Sequence, residues 1–118
     1  MKRDMDLCRI ILQKTEEHDI STGKPDVYFP DRPDNEISYH VRLLQEAGLI
    51  EAGIPCEIGG RWEVRRLTWA GHEFMDAIRN DTVWKTVNDE VKKQGVSIPF
   101  EILKNLALRA CANLVGLT

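Results

Sequence analysis

The chain has 118 residues, 42% of them hydrophobic and 30% charged, with a formal net charge of −3. That length suits one domain with at most an appendage, and that balance is too apolar for an intrinsically disordered chain. The negative net charge excludes a protein whose whole surface is a nucleic-acid footprint, because phosphate contact is supplied by lysine and arginine, so any such contact must be local.

In chain order, Leu7, Ile10, Ile11 and Lys14 form one stripe with Cys8, Leu12 and Thr15 beside it, a helical spacing over residues 4–18. From Asp19 to Pro33 the pattern breaks. Gly23, Pro25, Pro30 and Pro33 exclude a long helix there, and Val27-Tyr28-Phe29 fits a short strand. The stretch from Asp34 to Gly48 then follows a proline, opens on a capping-type aspartate and closes on a glycine suited to a left-handed cap. At 3.6 residues per turn, Ile37, Val41, Leu44 and Gly48 fall on one side, and Asn35, Ser38, Tyr39, Arg42, Gln45 and Glu46 on the other.

Residues Leu49 to Ile58 and Trp62 to Leu67 read as two strands. A three-residue loop of Gly59, Gly60 and Arg61 sets Ile58 opposite Trp62 and Cys56 opposite Val64. The apolar side chains then share one face, with Arg61 at the tip and Arg65 on the solvent side opposite Pro55. Thr68 can cap a helix bearing Ala70, Phe74, Ala77 and Ile78, and Asp81 can start another with Val83, Val87 and Val91, closed by Gly95. Ser97 and Pro99 open a last helix reaching Val115. Its Ile102, Leu103, Leu106, Ala107, Ala110, Cys111 and Leu114 make it apolar over more than half its circumference.

Two stretches carry a resemblance. The run Ile37-Ser38-Tyr39-His40-Val41-Arg42-Leu43-Leu44-Gln45-Glu46-Ala47-Gly48-Leu49-Ile50 resembles the recognition helix and its exit in winged-helix repressors of the arsenic-sensing and multiple-antibiotic-resistance types. Leu67-Thr68-Trp69-Ala70-Gly71 is similar to the Leu-Thr-x-x-Gly start of the next helix in that superfamily. The whole chain is also similar to a family of short, uncharacterised bacterial and prophage proteins. The resemblance covers residues 34–71 and implies an α+β, mostly helical fold: a winged helix-turn-helix core with a two- to three-stranded wing sheet and additional C-terminal helices. Residues 1–80 would then be the winged-helix domain, and residues 81–118 an extension that packs on it or forms a dimer interface. The superfamily places a supporting helix before the recognition helix. Here that place holds Pro30 and Pro33, which a helix interior does not accept.

The function this implies is double-stranded DNA binding by a small bacterial or phage-encoded transcriptional regulator. Asn35, Ser38, Tyr39, Arg42 and Gln45 would enter the major groove, and Arg61, Arg65 and Arg66 would serve from the wing. Against it, Asp34, Glu36 and Glu46 outnumber Arg42 and give that helix a formal charge of −2. The alternative is a non-enzymatic protein-interaction module on the same scaffold. The apolar last helix suggests a homodimer seam through Leu103, Leu106, Ala110 and Leu114, as suits a palindromic operator.

Other chemistry finds little footing. There is no Gly-rich phosphate loop, Gly-x-Ser-x-Gly elbow, His-Glu-x-x-His or paired metal-ligand motif, so no catalysis, cofactor or metal is expected. Cys8, Cys56 and Cys111 are odd in number and sit in apolar patterns, which reads as buried free thiols. His40 shares the packing side of its helix and reads as a structural histidine bonded to a backbone carbonyl, while His18 and His72 have no metal partner in the pattern. No apolar run reaches a membrane span and Met1-Lys2-Arg3-Asp4 is no signal peptide, so a cytoplasmic protein without membrane contact is expected.

Overall fold

Seven elements follow one another: α1 (Met5–Glu17), α2 (Asp34–Glu46), β1 (Ile50–Gly53), β2 (Glu63–Leu67), α3 (Trp69–Ile78), α4 (Asp81–Gln94) and α5 (Phe100–Leu114). They come from a computed structural model that describes residues 1–18, 23–55, 57–94 and 99–116, and all of their side chains except that of Gln94. Among the described residues the fold is therefore mostly helical α+β, with one two-stranded antiparallel sheet. The chain divides into two compact units, residues 1–72 and 73–118.

In the first unit α1 starts where Asp4 turns its carboxylate back on the helix and accepts from the amides of Asp6 and Leu7 at 3.0 and 3.2 Å. The helix buries Leu7, Cys8, Ile11, Leu12 and Thr15, so the buried face is turned from the expected stripe toward Cys8, Leu12 and Thr15, and Ile10 and Lys14 are only half-buried. Between α1 and α2, residues 23–33 form no helix and no strand, so the short strand expected at Val27–Phe29 is absent and the sheet has two strands. Val27 is instead buried together with Pro25, and Asp26 accepts from the Tyr28 amide in a local turn.

Helix α2 begins at Asp34, but Pro33 holds the cap position and offers only its carbonyl, to the amides of Glu36 and Ile37. The expected aspartate cap is corrected for a physical reason, since the Asp34 carboxylate is taken by Arg61 at 2.8 Å. The other end is as the sequence predicts. Gly48 is left-handed (φ +77°), its amide reaches the Gln45 carbonyl and the Leu49 amide reaches that of Leu44.

The hairpin departs most from expectation. β1 ends at Gly53, and its partners are Ile50 with Leu67, Glu51 with Arg66, Ala52 with Val64 and Gly53 with Glu63. The expected pairing of Ile58 with Trp62 does not form, because residues 54, 55 and 57–62 lie in no strand and Ile58 is fully exposed. Cys56, expected opposite Val64, lies outside the described residues. Val64 pairs with Ala52 in place of Cys56, so the strands part earlier than expected, and the ladder also carries a bulge: Arg65 is an extra residue in β2 between the partners of Glu51 and Ala52. It lets Val64 and Leu67 both face inward and Arg65 and Arg66 both face solvent, a pattern that strict alternation forbids.

The base of this excursion is closed at Thr68. Its amide donates to the Leu49 carbonyl at 3.0 Å, its hydroxyl donates to the Gly48 carbonyl, and the same hydroxyl accepts from the Gly71 amide at 3.1 Å to cap α3. Gly71 has to be glycine, since a Cβ there would collide with the Leu49 carbonyl oxygen.

In the second unit Asn80 caps α4, accepting from the amides of Thr82 and Val83 at 2.8 and 3.2 Å. Gly95 and Ser97, expected to close α4 and open α5, lie outside the described residues. α4 buries Val83, Trp84 and Val87 and packs against α5, which buries Leu103 and Ala107. Phe74 and Phe100 meet edge to face with centroids 5.1 Å apart. Among the described residues no helix is long and apolar enough to cross a membrane.

Candidate functional site

The face of α2 opposite its buried stripe is met by the loop 54–62, and a closed ring of hydrogen bonds joins the two. Tyr28 Oη donates to the Trp62 carbonyl at 2.7 Å, and the Trp62 amide donates to Ser38 Oγ at 3.3 Å. Because the single phenolic proton is used on Trp62, the Ser38 hydroxyl supplies the third bond, to Tyr28 Oη at 2.7 Å. Burial pushes the Tyr28 phenol above its ordinary pKa, against the pull of Ser38 and the Arg61 charge.

Two arginines are laid on the two aromatic rings so positioned. Arg42 lies over the Trp62 indole at 5.2 Å, and Arg61 over the Tyr28 ring at 4.5 Å. Arg61 is also ion-paired with Asp34, whereas no carboxylate lies within ion-pair distance of Arg42 among the described residues. Beside them a groove of about 480 Å³ runs between α2 and the loop, lined by Asn35, Tyr39, Arg42, Trp62 and the Gly59-Gly60 turn. That turn is tight. Gly59 is left-handed (φ +78°), and a Cβ on Gly60 would press on Pro55 at 3.0 Å.

Of the residues expected to contact a partner, this groove brings together Asn35, Ser38, Tyr39, Arg42 and Arg61. Asn35 is exposed, and Tyr39 is 36% exposed with its ring edge-on to His40. Gln45 is drawn into the scaffold, where its side-chain oxygen accepts from the Ala52 amide at 2.8 Å. Arg61 is not at a hairpin tip, because the loop continues past it to Trp62 and returns it to α2. Arg65 and Arg66 lie elsewhere, lining a separate cleft with His18 and His72. Arg65 lies against Gly53 rather than opposite Pro55, and Arg66 makes a bidentate bridge to Glu51 at 2.7 and 3.1 Å. Of the four residues expected at a dimer seam, Leu103 is only 3% exposed within the single chain, Leu106 and Ala110 are half-buried, and Leu114 is exposed.

His40 is fully buried and serves the scaffold. Its Nε2 accepts from the Asp4 amide at 2.8 Å, so the ring proton sits on Nδ1 and is donated to the Glu36 carbonyl at 2.8 Å. Asp4 is bound in turn by Arg32, which also pairs with Glu36. Burial pushes the Cys8 thiol up to about 12, which keeps it protonated and unreactive. Among the described residues no group of three or more His, Cys, Asp or Glu is placed to hold a metal ion.

Tyr28 and Trp62 are the residues that sequence reasoning missed. Their signal is faint: an aromatic beside an arginine in Arg61-Trp62, and a lone tyrosine in a segment without regular structure.

A small, mostly helical α+β protein with an arginine- and aromatic-lined groove between one helix and a long hairpin loop is the class these features define. The chain belongs to the family described as Hypothetical protein (DUF2513), whose profile matches residues 2–97, the span holding α1 to α4. A protein of Haemophilus influenzae, described as uncharacterized, is 40% identical over 110 residues, covering 91% of this chain and 92% of its own length. No solved structure matches the chain.

Proposed function

We propose that the chain is a winged-helix protein that binds double-stranded DNA, as a small bacterial or phage-encoded transcriptional regulator, with α2 as its reading helix and the hairpin loop as its wing. The observation that carries this reading is Arg42. It stands exposed on the open face of α2, its guanidinium is pre-oriented by Trp62, and its charge is uncompensated by any carboxylate within ion-pair distance among the described residues. An arginine held in this way is the side chain best suited to the paired acceptors of guanine in a major groove.

Asn35 and Tyr39 flank it on the same groove and are the remaining candidates for base contact. Ser38 and Gln45 are engaged by Trp62, Tyr28 and Ala52 and act by holding the loop and strand in place. On the other cleft, Arg65 is the wing residue suited to a phosphate or a minor groove.

The test is fluorescence anisotropy of the full chain with labelled duplex at two salt concentrations. Affinity should fall steeply as salt rises, and Arg42→Ala should weaken binding roughly tenfold or more while leaving the circular dichroism unchanged. A flat salt response, or an Arg42→Ala protein that binds like the parent, overturns the reading.

A second reading, a protein-interaction module, is favoured by two observations. Lys24, Arg32, Arg61 and Arg66 are all ion-paired within the chain, and the loop exposes Ile54 and Ile58. Desolvated apolar anchors beside compensated charge suit a protein partner. Ile58→Asp that abolishes capture of a host protein, with no DNA recovered, would establish it over the first.

A further inference from the structure

A cleft of about 350 Å³ in the first unit lies between the end of α1, the strand β2 and the helix α3. His18 lines it from the end of α1, Arg65 and Arg66 from β2, and His72 from α3, while Pro25 and Leu67 give it a buried apolar side. Four side chains that hold or gain positive charge thus converge on one small space. Glu16 is the acid that lines the cleft with them.

The charges are committed to different degrees. Arg66 is fixed by its bidentate bridge to Glu51. Arg65 has no carboxylate within ion-pair distance among the described residues. Glu63 feels the Arg65 charge, but its hydrogen bond and ion pair go to Lys24. The His18 Nε2 lies 2.7 Å from the Gly23 carbonyl oxygen, which only accepts, so the ring proton sits on Nε2 and Nδ1 is the atom left to gain one. His72 is exposed. With Glu51 counted against Arg66 and Glu16 against Arg65, the cleft is balanced while both imidazoles are neutral. It gains as many as two positive charges when they are protonated, and histidine is the side chain that changes charge between about pH 5 and 8.

Such donors suit a phosphate group. A guanidinium presents its N–H groups as a planar fork and each imidazolium adds an N–H from another direction. A carboxylate, with two oxygens in one plane, is met by the fork alone. The oxygens of a phosphate point in tetrahedral directions and meet donors arriving from several sides. The volume is at the lower end of the range for small-ligand sites, enough for the phosphate and part of what it esterifies.

We propose that this cleft binds a phosphate group, with Arg65 and Arg66 as its standing charge and His18 and His72 as added donors that strengthen the hold as pH falls. The proposal goes beyond the reading given to α2, since a free phosphate ester fills the cleft whether or not the chain holds DNA. A backbone phosphate of a duplex presents the same chemistry.

The experiment follows the amide signals around the cleft by NMR, in the full chain, as dimethyl phosphate is added at about pH 6 and about pH 8. This diester keeps its negative charge unchanged across that range, so any change in affinity belongs to the protein. Binding should be roughly fivefold or more tighter at the lower pH. Arg65→Gln should weaken it roughly tenfold, and the double variant His18→Gln, His72→Gln should bind equally at both pH values. Circular dichroism should report unaltered helix in each. Arg42→Ala should bind the diester like the parent, which separates failure of this proposal from failure of the DNA reading. A second arm sets a labelled duplex beside phenyl phosphate. Loss of duplex affinity in Arg65→Gln names a nucleic-acid backbone as the source of the phosphate, and a loss confined to phenyl phosphate names a free ester. No binding of the diester at the lower pH overturns the proposal. So do equal affinities of the parent at the two pH values, a double variant that keeps the pH dependence, or an Arg65→Gln protein that binds like the parent.

Discussion

Two grooves of the molecule differ in what builds them. Between α2 and the loop 54–62, position is set by directional forces: a ring of hydrogen bonds through Tyr28, Ser38 and Trp62, and two guanidinium groups stacked on aromatic rings. Between α4 and α5 a groove is lined by aliphatic side chains such as Val87 and Leu106 and by polar ones such as Thr86 and Asn113, on two helices held together by burial. Directional contacts fix a few polar groups at defined places, which recognition needs. Non-directional burial holds whatever is complementary in shape, which assembly needs. One chain of 118 residues thus builds two grooves in different ways.

The largest effect is expected where the first groove's framework is anchored. Gly71→Ala drives a methyl group into the Leu49 carbonyl and should cost about 3 kcal/mol in urea denaturation. Gly48→Ala, strained in φ but facing open space, should cost only about 1 kcal/mol. Equal losses would show that backbone conformation, and not the Leu49 contact, governs this joint.

A smaller effect separates the groove from its core. Tyr28→Phe removes the proton given to the Trp62 carbonyl and should cost about 1 kcal/mol, with a change in tryptophan emission. An unchanged midpoint and unchanged emission in that variant would show that the loop is held without this bond.

The smallest effect is in acid. Burial pushes the Asp4 carboxyl up, but the Arg32 hydrogen bond and charge, with the amides of Leu7 and Asp6, outweigh it and hold its pKa below the ordinary value. A lowered folded-state pKa means that the stabilisation is present above the unfolded value and lost as pH falls through the folded one. The melting temperature should therefore drop below about pH 4, and Asp4→Asn should flatten part of that drop. An unchanged slope in Asp4→Asn would place the acid sensitivity elsewhere.

What the sequence reveals here is what is local. The glycine end of α2 and the Thr68 cap depend on residues within a turn or two of one another, and both are found where their spacing predicts, while the buried face of α1 is found turned toward Cys8, Leu12 and Thr15. The structural role of His40 was also legible, from its position on the packing face beside Ile37 and Leu44. The loop was not. Its course depends on a bulge at Arg65, which resets the inward and outward alternation, and on Tyr28, which reaches Trp62 across a sequence separation of 34. Periodicity carries no information about either. The candidate site was accordingly half visible. The open face of α2 could be listed, but the aromatic ring that orients Arg42, and the internal bonds that occupy Ser38 and Gln45, could not.

The bonds at Thr68 have a consequence for change over time. They tie residue 68 to residues 48 and 49, so the whole hairpin leaves and re-enters the core through one fastened neck. Chain added beyond that neck costs little, about 0.6 kcal/mol for each doubling of the loop, because the core is already sealed beneath it. The exposed end of the hairpin around Ile58 is therefore a place where length can change at little cost, while Val64 and the Trp62 backbone stay fixed beneath it.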